Sequence, residues 1–506
     1  MINHIVIAPV LLPLLAGVLL LLLREKNLQW QRLLSLVSVL AQVGLAVMLL
    51  AAVNGGEILA YAVGNWQAPF GIVLVADRLS VWMLLVTALL SLCALSYALR
   101  GADIDGKHFH TLFQLQLLGL NGAFLTGDLF NLFVFFEILL LASYSLLLHG
   151  GGRQRTKAGL HFVVINLVGS TLFLFAVGTL YGTLGTLNMA DLAVKVAQTP
   201  PEDVFLVSTA GLLLFGVFAL KAALLPLYAW LPAAYANTSA PVAALFAIMT
   251  KVGAYCILRV YTLIFGAQAG PVANLIEGLL LPLALATLFI GMLGVLASTH
   301  LRQQVAYLVV ASIGSLFIAL GLNTGAGIAA GIYYLPHSTF AAAGFFLLAD
   351  IIAKRRGEMG DKFEIATAIA YQRLFGVLFF TMAVLIVGLP PLSGFIGKFL
   401  ILNAAISHPS LPIIMGVVLV SSFMGLVAVA RSGSLMFYRA LPAEHVVQTS
   451  VGQLAKELMP VISLLLLCIL LVVCAGSIME FSLATADQLL QPAAYIDAAL
   501  SDGVIR

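Results

Sequence analysis

About fourteen apolar runs, each near the 20 residues that a helix needs to cross a bilayer, leave this 506-residue chain few folds. They begin near Ile5, Leu33, Ala76, Phe109, Asp128, Ala158, Val204, Pro241, Val272, Val305, Ala326, Phe375, Ile413 and Leu458. The apolar residues are continuous rather than alternating, which excludes a β-barrel. Composition agrees: 62% of residues are hydrophobic and 9% charged, against roughly 45–50% and about 25% in soluble domains. The mean hydropathy is +1.11. The expected fold class is therefore an all-α polytopic membrane protein with about fourteen transmembrane helices and no sizeable soluble domain.

The net charge of +3 carries no sign of a nucleic-acid partner, because Lys and Arg lie in loops or singly within helices. Cys93, Cys256, Cys468 and Cys474 all sit in apolar runs and form no ligand cluster, so neither a metal nor a cofactor is expected. Met1 to Leu23 lacks a basic start and a small-residue cleavage site, and reads as an uncleaved first span.

Basic residues set the expected orientation. Arg24, Lys26 and Arg32 follow the first span, Arg100 and Lys107 the third, and Arg153, Arg155 and Lys157 the fifth. Arg302 follows the ninth span, Lys354, Arg355, Arg356 and Lys362 the eleventh, and Arg439 and Lys456 the thirteenth. The alternate loops hold little besides Lys195. Odd-to-even connections are thus expected in the cytoplasm of a bacterial cell, with both termini outside its plasma membrane. Glu57 to Val75 reads as an outer loop in which Ile72–Val75 pairs as a short strand. Arg355 to Arg373 reads as a cytoplasmic segment continuing into a surface helix.

Two runs are interrupted. The seventh holds Lys221-Ala-Ala-Leu-Leu-Pro226 and then Pro232, and the twelfth holds Gly388-Leu-Pro390-Pro391-Leu-Ser-Gly394-Phe-Ile-Gly397-Lys398. Proline removes a backbone donor and glycine loosens the helix, so both spans are expected to unwind. Paired breaks point to an inverted-repeat transporter. The expected division is helices 1–3 over residues 1–107, a first repeat of helices 4–8 over 108–266, a second of helices 9–13 over 267–440, and helix 14 with a tail over 441–506.

The chemistry rests on ionisable residues at membrane depth. Glu137 lies nine residues after Asp128, roughly 13 Å along a helix and close to the middle of a ~30 Å hydrocarbon layer. A charge there costs about 2.5–3.5 kcal/mol or more, so a partner is required. Lys221, Lys251, His337 and Lys398 are the other such groups. Burial disfavours a lysine's charge and a nearby carboxylate restores it, so a row of these groups can pass a proton from one to the next. Glu137 and Lys221 are expected to form a switchable ion pair, Lys251 to relay towards His337, and Lys398 to end the row. Tyr144, Ser170, Tyr255, Ser312 and Ser338 supply hydroxyls for intervening water. The alternative is structural: a buried Glu–Lys pair can simply fix helix packing, and a lone histidine is often only a hydrogen-bonder. His161 reads as interfacial, Arg259 as snorkelling to the outer surface, and Asp77, Arg78 and Asp128 as caps, local ion pairs or a cation entrance.

The fifth-span glutamate, Lys221-…-Pro226-Leu-Tyr-Ala-Trp230-Leu-Pro232, Lys251 and the twelfth-span Gly-Leu-Pro-Pro-Leu-Ser-Gly-Phe-Ile-Gly-Lys resemble the antiporter-like proton-channel family. That family includes membrane subunits of complex I, of membrane-bound hydrogenases and of Mrp-type sodium/proton antiporters. The run Gly127 to Tyr144 and the opening Asp77-Arg-Leu-Ser-Val-Trp-Met of the third span most resemble its Mrp D-subunit branch. The resemblance implies Glu137, Lys221, Lys251, His337 and Lys398 as the proton path. It also implies other hydrophobic antiporter subunits as partners in a hetero-oligomer, and exchange of protons for Na+ or K+. The second half departs from the first, with Ser312 in place of a tenth-span carboxylate and no central lysine in the thirteenth. The expected role is a non-enzymatic secondary-transporter subunit; the alternatives are a proton-pumping subunit of a redox complex and an inert scaffold.

Overall fold

The computed structural model describes residues 2–23, 27–441 and 450–501. Arg24 and Lys26, used above for orientation, lie outside them. Helices α1 (Ala8–Leu22) and α2 (Leu28–Val53) lead to a two-stranded antiparallel sheet of β1 (Leu59–Ala62) and β2 (Val73–Ala76), with Leu59 opposite Ala76. The second strand was expected within one residue; its partner β1 was not, because Leu59-Ala-Tyr-Ala shows no alternation.

Next come α3 (Arg78–Ala98), α4 (Phe109–Leu125), α5 (Leu129–Leu148), α6 (Arg153–Leu184) and a short amphipathic α7 (Met189–Ala197). The seventh expected span is split into α8 (Val204–Ala222) and α9 (Trp230–Asn237), and the eighth is kinked between α10 (Ala240–Phe246) and α11 (Met249–Leu263). Then follow α12 (Glu277–Ala297), α13 (Leu301–Gly321) and α14 (Gly325–Arg355). The twelfth span is split into α15 (Gln372–Val387) and α16 (Ser393–Ala404), and α17 (Leu411–Gly433) and α18 (Val451–Val473) close the expected set. The tail after the last span is itself helical, as α19 (Ala475–Leu490) and α20 (Ala493–Leu500).

Among the described residues, 11 helices are long and apolar enough to cross a membrane. The remaining three expected spans are the shorter α1, α4 and the broken α15–α16. In the most apolar part of α10–α11 every residue is buried, and in α13 and α14 the share is 94%, whereas α2, α17 and α18 bury only 33%. A helix enclosed by protein can hold polar groups that lipid would not accommodate. The interior axis of α11, α13 and α14 is therefore where ionisable residues can reside.

The basic loops meet at one end. Arg32 pairs with Asp103, Arg302 with Asp350, and Arg355 with Glu457, while Tyr97 donates to Asp350 at 2.7 Å. His110 also reaches Asp103. Burial alone would raise that carboxyl, but hydrogen bonds from His110 and Arg32 hold it at about 2. The segment expected as a surface helix up to Arg373 is not helical between Met359 and Gln372. Gly357 and Gly360 take positive φ, and the Arg356 guanidinium binds the carbonyls of Gly360, Lys362 and Glu364 at 2.9, 2.7 and 2.6 Å. The chain wraps round that side chain instead of coiling.

Candidate functional site

Both interruptions are present, and each is tied to a lysine. Helix α8 ends with Lys221 in its last turn, and Ala223 adopts a left-handed φ of 59°. The carbonyl of Leu220 accepts from both the Ala223 amide and the Trp230 indole at 3.1 Å, and Thr287 accepts the Leu225 amide at 2.9 Å. In the second break Gly388 turns at φ 83°. There Lys398 Nζ donates to the last helical carbonyl, Val387, at 2.6 Å and to Ser422 Oγ of α17 at 2.9 Å. An ammonium at a helix C-terminus meets the negative end of the helix dipole and carbonyls without partners. Lys221 precedes its break and Lys398 follows its own.

The expected Glu137–Lys221 ion pair is absent: no N···O approach within 4 Å joins them among the described residues. The two are bridged by one face of α6. Ser170 donates to Glu137 Oε1, and Lys221 Nζ donates to Asn166 Oδ1 at 3.1 Å. Asn166 and Ser170 are four residues apart and so share a helix face. Asn166 was missed from the sequence; its signal was an amide four residues before a flagged serine in an apolar run. Glu137 itself is only partly buried, because α5 lies on the flank of the chain.

Lys251 is fully buried, and its Nζ has no hydrogen-bond partner among the described residues. Such a group is costly unless water or a moving acceptor reaches it. Tyr255, one turn on, donates instead to the carbonyl of Phe124 at 2.6 Å. Gly253 sets the depth of α11: a Cβ there would meet the Ala222 amide nitrogen at 2.5 Å, so only glycine lets this helix lie against the end of α8.

His337, 1% exposed on α14, shares a hydrogen bond of 2.9 Å between Nδ1 and Ser393 Oγ, the first residue of α16. A Cβ on Gly394 would come within 2.9 Å of His337 Cε1, and one on Gly397 within 2.6 Å of Tyr334. The glycines of the second motif thus seat α16 on α14 beside the imidazole. Ser312 and Ser338 bond carbonyls of their own helices.

Among the described residues no hydrogen bond or ion pair joins the five to one another, but their helices pack in series. α5 packs on α6, α6 on α8, α8 on α11, and α11 on α13; α13 packs in turn on α14, and α14 on α16. A cleft of about 760 Å³ opens beside α9 at the end bearing the basic loops, lined by His161, Pro232, Asn237, Arg302 and Tyr307 among others. His161 is exposed there, as expected of an interfacial residue.

Arg259 does not snorkel. It is buried, makes a two-pronged ion pair with Asp77 at 2.7 Å on each prong, and lies over the rings of Tyr255 and Tyr495. Asp77 also caps α3 by accepting from Ser80 N at 2.9 Å. Burial alone would raise the Asp77 carboxyl, yet Arg259 holds it below its ordinary value. Asp128 caps α5, accepting from Asn131 N at 2.8 Å, and with no ion-pair partner among the described residues burial pushes its carboxyl up.

Residues 126–425 match the family described as NADH:quinone oxidoreductase/Mrp antiporter, TM. The D subunit of a probable K(+)/H(+) antiporter from Rhizobium meliloti is 40% identical, with 99% of this chain and 98% of that protein covered. The D subunit of a Na(+)/H(+) antiporter from Alkalihalophilus pseudofirmus is 36% identical, with coverage of 99% and 100%. A chain of the Mrp complex from Dietzia sp. superposes with a TM-score of 0.87 at 27% identity, over 98% of this chain and 99% of that one. The broken α8–α9 and α15–α16, the buried lysines beside them and these likenesses lead to one conclusion: the chain belongs to the NADH:quinone oxidoreductase/Mrp antiporter transmembrane family, among the D subunits of Mrp antiporters.

Proposed function

We propose that this chain is the proton-carrying D subunit of a multisubunit monovalent cation/proton antiporter. In this reading it resides in the bacterial plasma membrane with both termini outside the cytoplasm. The observation that carries the reading is the placement of Lys221 and Lys398 at two helix breaks, linked by packed helices that bear Lys251 and His337. Each break offers carbonyls and hydroxyls that an ammonium can exchange for water during a hop. Glu137 receives or releases the proton at the flank beside Ser170, water carries it along this face of α6 to Lys221, and Asn166 Oδ1 orients the lysine by accepting from its Nζ. Lys251, without a hydrogen-bond partner among the described residues, accepts and yields a proton without first breaking a hydrogen bond to them. His337 and Lys398 complete the row. The cleft beside α9 supplies water from the end with the basic loops. Residues 108–266 and 267–440 act as inverted five-helix repeats, and other hydrophobic subunits complete the cation path. Relatives named for K(+)/H(+) and for Na(+)/H(+) exchange support both cations as substrates to be tested.

The test is cation-induced collapse of a pH gradient in everted vesicles holding the full complex. Glu137→Ala, Lys221→Ala and Lys398→Ala are compared with the parent at matched assembly. Loss of exchange in assembled variants is expected. Parent-like exchange in all three removes the site, and failure of both Na+ and K+ to collapse the gradient in the parent removes the antiporter reading. The family's NADH:quinone oxidoreductase members favour a second reading, a redox-driven proton pump. It predicts that proton movement follows quinone turnover and ignores cations.

A further inference from the structure

At the end bearing the basic loops, α3, α14 and α18 surround a pocket of about 520 Å³ lined by Tyr97, Arg100, Lys354, Arg355, Lys456 and Glu457 among others. Four cations face one carboxylate. Arg355 pairs with Glu457 at 2.6 Å and Lys354 with Asp350 at 2.9 Å. Arg100 and Lys456 are both exposed, and neither has an ion-pair partner within 4 Å among the described residues. The pocket therefore keeps an excess of positive charge.

A groove of about 770 Å³ continues from it along the same two helices, between α3 with α2 on one side and α18 on the other. Its walls include Leu36, Leu92, Ser463, Leu466, Leu470 and Val473. The two spaces abut: Ser96 and Met459 line the groove, while Tyr97 and Glu457 line the pocket. From Met459 to Val473 the helix rises about 21 Å, more than the ~15 Å that one leaflet contributes to the hydrocarbon layer.

We infer that this surface is a binding site for an anionic phospholipid, its phosphate headgroup held by Arg100 and Lys456 and an acyl chain laid along α18. Basic pockets between transmembrane helices suit anionic headgroups, and the apolar groove below supplies what a free phosphate would not need. The bound lipid joins the ends of α3, α14 and α18 on the side where Asp350 ties α14 to Arg302.

The test uses the purified complex in nanodiscs of phosphatidylcholine doped with photoactivatable diacyl phosphatidylglycerol. Labelling is expected on α3 and on Met459–Val473. Unlabelled phosphatidylglycerol should compete about 30-fold better than phosphatidylcholine, about 2 kcal/mol for two basic residues near the surface. Arg100→Gln with Lys456→Gln should abolish that preference, and Ser463→Trp should abolish labelling while leaving the charges in place. The inference is overturned if the charge variant keeps the preference or if soluble glycerol phosphate competes as well as the lipid. It also fails if Ser463→Cys cross-links to another subunit instead of exposing its thiol to lipid.

Discussion

Removing the Asp77 carboxylate while leaving Arg259 in place should be among the most destabilising single changes available in this chain. Their side chains are 1% and 4% exposed and share two contacts of 2.7 Å, so Asp77→Ala strands a buried guanidinium. Breaking a buried pair from one side costs about 3–5 kcal/mol. The same change removes the α3 cap on Ser80 N, about 1 kcal/mol more. The expected loss is therefore about 4–6 kcal/mol. Arg259→Met leaves Asp77 its bonds from Ser80 and should cost less, about 3 kcal/mol. Asp77→Ser with Arg259→Met keeps a capping oxygen and removes both charges, so the double variant should be more stable than either single one. In the closed cycle of Asp77→Ser, Arg259→Met and the double variant, single costs of about 3–5 and about 3 kcal/mol with a double cost below about 3 give an interaction energy of at least about 3 kcal/mol. The assay is unfolding of the purified protein in mixed micelles by titrated dodecyl sulfate, read by circular dichroism. Additive single and double costs would refute the reasoning, since they would mean that the two charges are solvated independently.

Asn166→Leu removes the acceptor of Lys221 Nζ, a hydrogen bond to a charged group worth about 1.5–3 kcal/mol; exchange in everted vesicles should fall at least about 10-fold with assembly intact. Gly253→Ala places a methyl 2.5 Å from the Ala222 amide nitrogen, and should lower the unfolding midpoint by an overpacking cost of about 1–3 kcal/mol. The Asp103 carboxyl, held at about 2 instead of its ordinary 3.8, stabilises the fold fully above pH ~4 and loses that contribution as pH falls towards 2. Thermal unfolding should thus find Asp103→Asn less stable than the parent at pH 6, with the gap narrowing steadily below pH ~4.

The long apolar helices, the two interruptions and the five ionisable residues were legible in the sequence because each follows from local chemistry. Twenty apolar residues must span, proline cannot donate, and a charge in an apolar run stands out against its neighbours. Asp77 and Asp128, open in the sequence between caps, local ion pairs and a cation entrance, both cap helices, and Asp77 is ion-paired as well. Partners were not legible. Lys221 answers to Asn166 and Glu137 to Ser170, because α6 lies between the helices that carry the two charges, and no spacing along the chain encodes which helix intervenes. Arg259 looked like a surface residue from its place near a span end, yet Asp77 at the start of α3 and Tyr495 of α20 enclose its guanidinium. The segment after Arg356 looked helical from composition, yet one guanidinium collected its carbonyls. The sequence alone thus determined which groups are too costly to leave unanswered in lipid. Only the tertiary structure decided what answers them, because a hydrogen bond depends on distances of about 3 Å between helices far apart in the chain.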